Sequence, residues 1–259
     1  MSNEFEKRIG PARRDPEPAK AGLAKLLYEG SQLYRRLYGS VDPVTTPAQP
    51  QGADIKPAFS LQPVVLEIPT VSEEVYNKTR EALKSEGFTY VVSIEPTSIG
   101  QLATDEATTN RFGFVNSSEN MRAIVPPQME VAIDPKNVKI ENSSFQSTDT
   151  QIRMTQDEEA KLKSKLSQDI RGLVSMPMHD PSTLSQADFD YQDKTGKPLY
   201  LDFFVRTDTE TVPGSVACVG RYVPSSRLVV FDWARGDGDG YVFAARVVVL
   251  PRKLTEPAK

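Results

Sequence analysis

Residues 199–222, LYLDFFVRTDTETVPGSVACVGRY, contain the clearest structural pattern of the chain. In residues 199–206 the side chains alternate between two faces, both partly apolar, with the period of two that is typical of a β-strand. Residues 216–222 form a second strand-like run, and Val212, Pro213 and Gly214 supply turn chemistry between the two runs. The sequence therefore predicts two antiparallel strands joined by a short turn.

The C-terminal third continues in the same way. Strand-like runs lie at residues 188–192, 228–233 and 241–250, and turn-forming residues lie at 193–196, 224–226 and 236–240. Short connections favour antiparallel neighbours. We expect a C-terminal antiparallel sheet with helices packed on one face and some cover on the other.

The residues before this sheet predict a β-α-β unit. Residues 61–68 alternate weakly as a strand. Thr70 and Glu73 have the spacing of a capping box, so a helix is expected to begin there, and Gly87 is well placed to end it. Residues 88–95 are rich in aromatic and β-branched residues and predict the next strand.

The middle of the chain is rich in Ser, Thr and Asn, with short apolar islands between turns. These islands favour short strands at residues 112–115, 123–125, 129–133 and 138–140. A second capping box, Thr155 and Glu158, predicts a helix that ends before Pro177. The sequence thus predicts an α+β fold: a β-α-β unit, then short strands, a helix and a C-terminal antiparallel sheet.

The N-terminal segment differs in composition from the rest. Residues 1–60 hold seven of the chain's 20 prolines, which predicts a flexible arm over residues 1–59. Within it, about residues 19–38 have the spacing of an amphipathic helix. Its apolar stripe consists of Leu23, Leu26, Leu27, Leu33, Tyr34 and Leu37. We expect a single α+β domain over residues 60–253 and a disordered tail over residues 254–259.

Composition excludes several classes of protein. The chain has 259 residues, 38% hydrophobic and 25% charged, with a net charge of −4, which argues against a collagen-like, disulfide-rich or wholly disordered chain. Its apolar runs are far shorter than the roughly 20 residues of a transmembrane helix, so no membrane insertion is expected. The charged N-terminus does not resemble a signal peptide, and we expect a cytoplasmic protein. The modest charge asymmetry makes nucleic-acid binding an unfavoured function.

Cysteine and histidine occur once each, as Cys218 and His179. A zinc site built from cysteine and histidine needs three or four such ligands and is excluded. We therefore predict no cofactor. Cys218 lies in an apolar run that is typical of a buried, unreactive thiol, and this interpretation is favoured over a catalytic dyad with His179.

Asp188, Asp190 and Asp193, with Asp180 nearby, form an acidic cluster in the sequence. Carboxylate oxygens are the ligands that Ca²⁺ and Mg²⁺ prefer. If residues 188–192 form a strand, Asp188 and Asp190 share a face. That geometry would suit a metal ion, and would equally suit a solvated strand edge.

Charged and aromatic side chains within the best strands define a second candidate site. Tyr200, Arg206 and Arg246 could bind a small ligand on the face of the C-terminal sheet, since aromatic and guanidinium groups are enriched at binding surfaces. This hypothesis predicts a concave pocket at Arg206 and Arg246. The alternative is a sheet face whose charges pair with one another.

Three functional hypotheses follow. The preferred one is a non-enzymatic interaction or structural protein whose N-terminal arm docks on a partner, another copy (a homo-oligomer) or its own body. The second is a metal-assisted, carboxylate-dependent hydrolase that uses residues 180–193. The third is a small-ligand-binding module that uses the arginine, tyrosine and tryptophan face of the C-terminal sheet.

Overall fold

The computed structural model describes residues 66–221 and 227–254. The chain divides into two units between Ala58 and Phe59, and the described residues belong to the second unit. The predicted helix over residues 19–38, with its stripe of Leu23, Leu26, Leu27, Leu33, Tyr34 and Leu37, lies outside the described residues. The same holds for the tail after Leu254. The boundary predicted near residue 60 stays a prediction.

Helices and strands alternate irregularly along the described chain. The helices are α1 (Glu73–Ser85), α2 (Ile99–Thr104), α3 (Glu119–Ala123), α4 (Thr148–Lys165) and α5 (Pro181–Thr195), with 3-10 turns at Thr109–Arg111 and Arg171–Leu173. The strands are β1 (Thr70–Val71), β2 (Tyr90–Ile94), β3 (Phe112–Val115), β4 (Met129–Ile133), β5 (Phe203–Val212), β6 (Ser215–Arg221), β7 (Leu228–Ala234), β8 (Val242–Phe243), β9 (Val247–Val249) and β10 (Arg252–Lys253). The predicted α+β fold is confirmed.

A five-stranded sheet in the order β3-β7-β6-β5-β8 forms the largest layer of the described residues. Its centre, β5-β6-β7, is antiparallel, as the short connections predicted. The predicted turn is present, with Val212 opposite Ser215 and Gly214 at a φ of 83°. The edge strands β3 and β8 run parallel to their neighbours, which local sequence patterns did not indicate.

A second sheet has three antiparallel strands in the order β2-β4-β9, and β1 pairs with β10 in a parallel two-stranded ribbon. A strand lies on each side of α1, but the strand before it is β1, which follows the predicted residues 61–68, and β1 and β2 lie in different sheets. The predicted strand over residues 241–250 forms two separate strands. Its first part, β8, joins the five-stranded sheet, and its second part, β9, joins the three-stranded sheet.

The three-stranded sheet is buried on both faces. Val131, Ile133 and Val249 pack into the main core, together with α5 and one face of the five-stranded sheet. Ala132 and Val248 alternate with them and pack against α1 and the residues that follow α4. Burial on both faces explains the apolar sequences of residues 131–133 in β4 and of β9, and each buried valine contributes roughly 1.5–3 kcal/mol.

Several predicted boundaries were wrong because neighbouring residues offered better caps. The N-cap of α1 is Ser72, whose Oγ accepts from Val75 N at 3.4 Å, and Thr70 lies in β1. The N-cap of α4 is Ser147, so the helix begins before the predicted capping box and ends at Lys165.

Three of the predicted strands are not regular strands. The described part of the predicted strand 61–68 is irregular, and residues 123–125 end α3 and begin a loop. Residues 138–140 contribute a single bridge, from Lys139 to Ala245.

The predicted strand over residues 188–192 and the turn over 193–196 were also wrong. Both belong to α5, which begins with Asp180 as N-cap and Pro181 in the first turn. Gly196, at a φ of 72°, ends the helix in the left-handed conformation.

No helix within the described ranges is long and apolar enough to span a bilayer.

Candidate functional site

Three segments of the chain meet at a cavity of about 500 Å³ beside the N-terminus of α5. They are residues 120–129 around the end of α3, residues 177–180 before α5, and residues 208–210 of β5; Leu66 adds a further contact. We call this cavity the acidic cleft, after the carboxylates of Asp180, Asp208 and Glu210 that line it.

Asp180 is fixed by the start of the helix. Its Oδ1 accepts a hydrogen bond from Thr183 N at 2.9 Å, and its Oδ2 accepts one from Thr183 Oγ1 at 2.6 Å. Hydrogen bonds of this kind hold the side chain of an N-cap residue in place. Asp180 therefore contributes a positioned negative charge to the cleft.

Asp208 and Glu210 reach the cleft because β5 is irregular at this point. Arg206 is opposite Cys218 and Glu210 is opposite Val216, so three residues of β5 face the single residue Ala217 of β6. Such bulges re-aim side chains and occur often beside functional sites. Both residues are half-buried. Thr209 Oγ1 donates to Asp208 Oδ1 at 3.2 Å, and Gly214 N donates to Glu210 Oε1 at 3.0 Å.

His179 adds a ring nitrogen, Nδ1, that has no hydrogen-bond partner among the described residues. The side chain is only 5% exposed, and its Nε2 lies 3.1 Å from Val247 O. A carbonyl oxygen can only accept, so Nε2 carries the hydrogen and Nδ1 is the acceptor of the neutral ring. Nδ1 has no partner among the described residues, and the ring lines the cleft. Burial lowers the pKa of His179, which keeps the ring neutral.

The ionisation of Asp208 is strongly shifted. Burial, and then the nearby charge of Asp180, raise the pKa of the Asp208 carboxyl to about 6. At neutral pH the Asp208 carboxyl is therefore ionised, although its buried surroundings favour the neutral form. Groups shifted in this way are concentrated at functional sites.

The cleft also has an apolar wall. It is formed by Leu66, Ile124, Val125, Pro126, Pro127, Met129, Pro177 and Met178. Val125 is 51% exposed, which is high for a large apolar side chain. The cleft thus combines hydrogen-bond acceptors with an apolar surface, an arrangement suited to an amphiphilic cation.

The predicted metal ligands are not brought together. Asp188 is buried, forms an ion pair with Arg221 and accepts from Leu199 N at 2.8 Å. Asp190 accepts from Tyr90 Oη at 2.7 Å and pairs with Lys194, and Asp193 pairs with Arg111 at 2.8 Å. Within residues 66–221 and 227–254, no three His, Cys, Asp or Glu side chains are placed to hold one metal ion.

The predicted ligand-binding residues also lie apart, and none of them lines the acidic cleft. Tyr200 is fully buried in the main core. Arg206 is buried, and its guanidinium donates to Thr148 Oγ1 at 3.0 Å and Asp237 O at 2.7 Å. Arg246 pairs with Asp134 at 3.6 Å and Glu158 at 3.1 Å. The two arginines therefore fasten loops and helices to the sheets.

Cys218 is buried in a small apolar cluster with Phe204 and Val242. Burial raises the pKa of its thiol to about 12, so the thiol stays protonated, as expected for an unreactive cysteine. His179, in contrast, lines the cleft. Sequence reasoning placed Asp180 near a possible site but missed Asp208 and Glu210. The signal for these two was the polar run Thr207–Glu210 within an otherwise apolar strand.

No family model matches the chain, and no curated protein or solved structure is significantly similar to it.

Proposed function

We propose that the acidic cleft binds a small organic cation, namely a ligand with a protonated amine attached to an apolar part. One observation carries the proposal: Asp180, Asp208, Glu210 and His179 line the same cavity as a group of apolar side chains. This is a small-ligand-binding function at a different place from the arginine and tyrosine face considered above.

The charge of the cleft favours a cation. Three carboxylates line it, and no lysine or arginine is found among the described residues that do so. The negative charge is therefore uncompensated within the cleft. A hydrogen bond from an ammonium group to a carboxylate contributes roughly 1.5–3 kcal/mol, more than a neutral pair.

The hydrogen-bonding pattern favours an amine that has N–H groups. The ionised carboxylates and the Nδ1 of His179 are acceptors only. A primary ammonium has three donors to offer them, whereas a quaternary ammonium has none. We therefore expect primary amines to bind more tightly than their trimethylated analogues.

The size and apolar wall of the cleft favour an organic ligand over a bare ion. Small-molecule sites typically have volumes of about 300–1,000 Å³, a range that includes this cavity. The wall formed by residues 124–127 would contact the carbon skeleton of the ligand. A metal ion would make no use of this wall.

The other hypotheses have less support from the described residues. The separate partners of Asp188, Asp190 and Asp193 give no support to a metal-assisted hydrolase. Docking through the N-terminal arm stays a prediction, because residues 1–65 lie outside the described ranges.

Isothermal titration calorimetry at pH 7.5 tests the proposal. The probes are phenethylamine, cyclohexylmethylamine and hexylamine, each compared with the alcohol and the carboxylate of the same carbon skeleton. We expect at least one amine to bind about tenfold more tightly than its alcohol and its carboxylate not to bind, since one charged hydrogen bond is worth about that factor. Trimethylation of that amine should weaken its binding.

Matched variants locate the site. Asp208→Asn should weaken amine binding about tenfold, because it removes one carboxylate from the cleft. Asp157→Asn removes the same charge from an exposed position on α4 and should leave the affinity unchanged. Equal affinity for amine and alcohol, or equal weakening by the two variants, would contradict the proposal.

A further inference from the structure

The two aspartates of the cleft differ in how their charges are stabilised. Asp180 accepts two hydrogen bonds from Thr183 at the N-terminus of a 15-residue helix. Asp208 is half-buried in β5, and its side chain accepts from Thr209. Two like charges in one partly dehydrated cavity repel each other, so the less stabilised carboxyl takes up a proton first. That carboxyl is Asp208.

Building on the proposed function, we propose that the cleft exchanges a proton for its ligand. The ammonium group of the ligand displaces the proton of the Asp208 carboxyl on binding, and mild acidification returns the proton and releases the ligand.

The surroundings of Asp208 single it out as the exchanging group. Glu210 faces the cleft from the same strand, and His179 and Asp180 face it from the segment before α5. Asn120 lines the cleft from α3, and the charged residues of that helix, Glu119 and Arg122, are not part of the lining. Across β6, the opposing residues Val216 and Ala217 are apolar.

His179 does not supply the exchanged proton. Its Nε2 hydrogen is committed to Val247 O, and uptake of a second proton at Nδ1 would place a cation in a site that is 95% buried. Burial lowers the pKa of His179 for this reason. Asp208 is different, since burial and Asp180 raise its pKa to about 6, close to physiological pH.

The direction of the pH effect on ligand affinity follows from the ionisation of Asp208. Above a pH of about 6 Asp208 is ionised and the cleft attracts the ammonium group; below it, the neutral carboxyl no longer does. The ammonium group itself resembles that of lysine and keeps its proton well above this range. Since the ionised fraction falls about tenfold per pH unit below the pKa, affinity should fall by nearly that factor between pH 7.5 and pH 5.0.

Calorimetry with the best-binding amine of the three tests this inference. The wild-type protein should bind it about tenfold more weakly at pH 5.0 than at pH 7.5. At pH 6.0, titrations in two buffers with different ionisation enthalpies should report release of about half a proton per ligand bound. Asp208→Asn should remove both effects.

A second variant, Asp180→Asn, should change the pH at which the proton is exchanged without abolishing the exchange. Asparagine is as good an N-cap as aspartate, so Asp180→Asn should retain α5 while it removes the charge that faces Asp208. The pH at which affinity falls should then shift downward, and the loss of affinity between pH 7.5 and pH 5.0 should be smaller than in the wild-type protein, although the burial of Asp208 still raises its pKa.

The outcomes separate this inference from the proposed function. Amine binding with equal affinity at both pH values and no proton release would overturn the exchange and leave the proposed function intact. A pH dependence that persists in Asp208→Asn would assign the proton to another group and would also overturn the inference. If no amine binds at any pH, the proposed function is wrong and the exchange with it.

Discussion

Asp208 shows how a single residue of the cleft affects both folding and ligand binding. Its carboxyl is half-buried beside Asp180, and its pKa is raised to about 6, whereas an aspartate in an unfolded chain has a pKa of about 3.9. The folded protein therefore holds this proton more tightly than the unfolded chain. It follows that the free energy of unfolding decreases as the pH rises from about 4 to about 6.

Replacing Asp208 by asparagine should therefore stabilise the protein at neutral pH. The expected gain in the free energy of unfolding at pH 7.5 is on the order of 3 kcal/mol, and it should shrink to about 0.5 kcal/mol at pH 4. Urea denaturation at both pH values measures the difference. The exposed control Asp157→Asn should change stability little at either pH. A loss of stability in Asp208→Asn at pH 7.5 would contradict this interpretation.

The roles of individual residues were the least predictable feature. In the sequence, Asp188 belongs to an acidic cluster that is typical of a metal site. In the structure its partner is Arg221, which is 33 residues away along the chain and is buried with it. Arg206 alternates correctly within its strand, yet its guanidinium is occupied by Thr148 and Asp237 from two other segments. Local patterns give the direction of a side chain and cannot identify partners that folding brings from a distance.

At the scale of elements, the predicted strand within α5 was wrong, and the helix signal of this segment lies in the residues at its two ends. The alternating order of Asp188, Phe189, Asp190 and Tyr191 suggested a strand, but these residues lie within α5. The decisive signals were Asp180 and Pro181 before the segment and Gly196 after it, a typical N-cap, first turn and C-terminal stop. Phe189 then packs in the main core, while Asp190 faces Tyr90 and Lys194.

Gly196 provides a test of the end of α5. Its φ is 72°, and a Cβ at this position would meet no atom within 4 Å, so substitution carries a conformational cost without a steric clash. Gly196→Ala should reduce the free energy of unfolding by about 1 kcal/mol.

The matched control is Gly172→Ala, at which a Cβ also meets nothing within 4 Å but the backbone is not left-handed. Chemical denaturation of the two variants side by side should show a loss at Gly196 and little change at Gly172. Equal losses would mean that the left-handed conformation at Gly196 does not limit the stability of α5.

At the scale of the whole molecule, the described core is formed by residues 66–221 and 227–254. Two hydrophobic clusters cover the two faces of the three-stranded sheet. The acidic cleft is lined by separate residues that lie between positions 66 and 210 of the sequence. The α+β class and the antiparallel centre of the large sheet followed from local patterns. The cleft did not, because residues 120–129, 177–180 and 208–210 become neighbours only after the sheets and α5 have packed together.

This organisation predicts that residues 59–259 fold without the preceding segment. Deletion of residues 1–58 should leave a cooperative thermal transition, followed by circular dichroism, and an unchanged affinity for the amine. A truncated chain that melts without cooperativity would show that the core needs residues before Phe59. A change in molecular mass in solution on truncation would support the predicted docking of the arm on another copy.

The pKa of Asp208 in the ligand-free protein is the quantity on which both the cation site and the proton exchange depend. It can be measured by carbon-detected NMR titration of the assigned side-chain carboxyl, in the wild-type protein and in Asp180→Asn. We expect a midpoint at a pH of about 6 in the wild type and a lower midpoint in the variant. A midpoint at a pH of about 4 in both proteins, as for an exposed aspartate, would contradict the existence of a dehydrated acidic cleft.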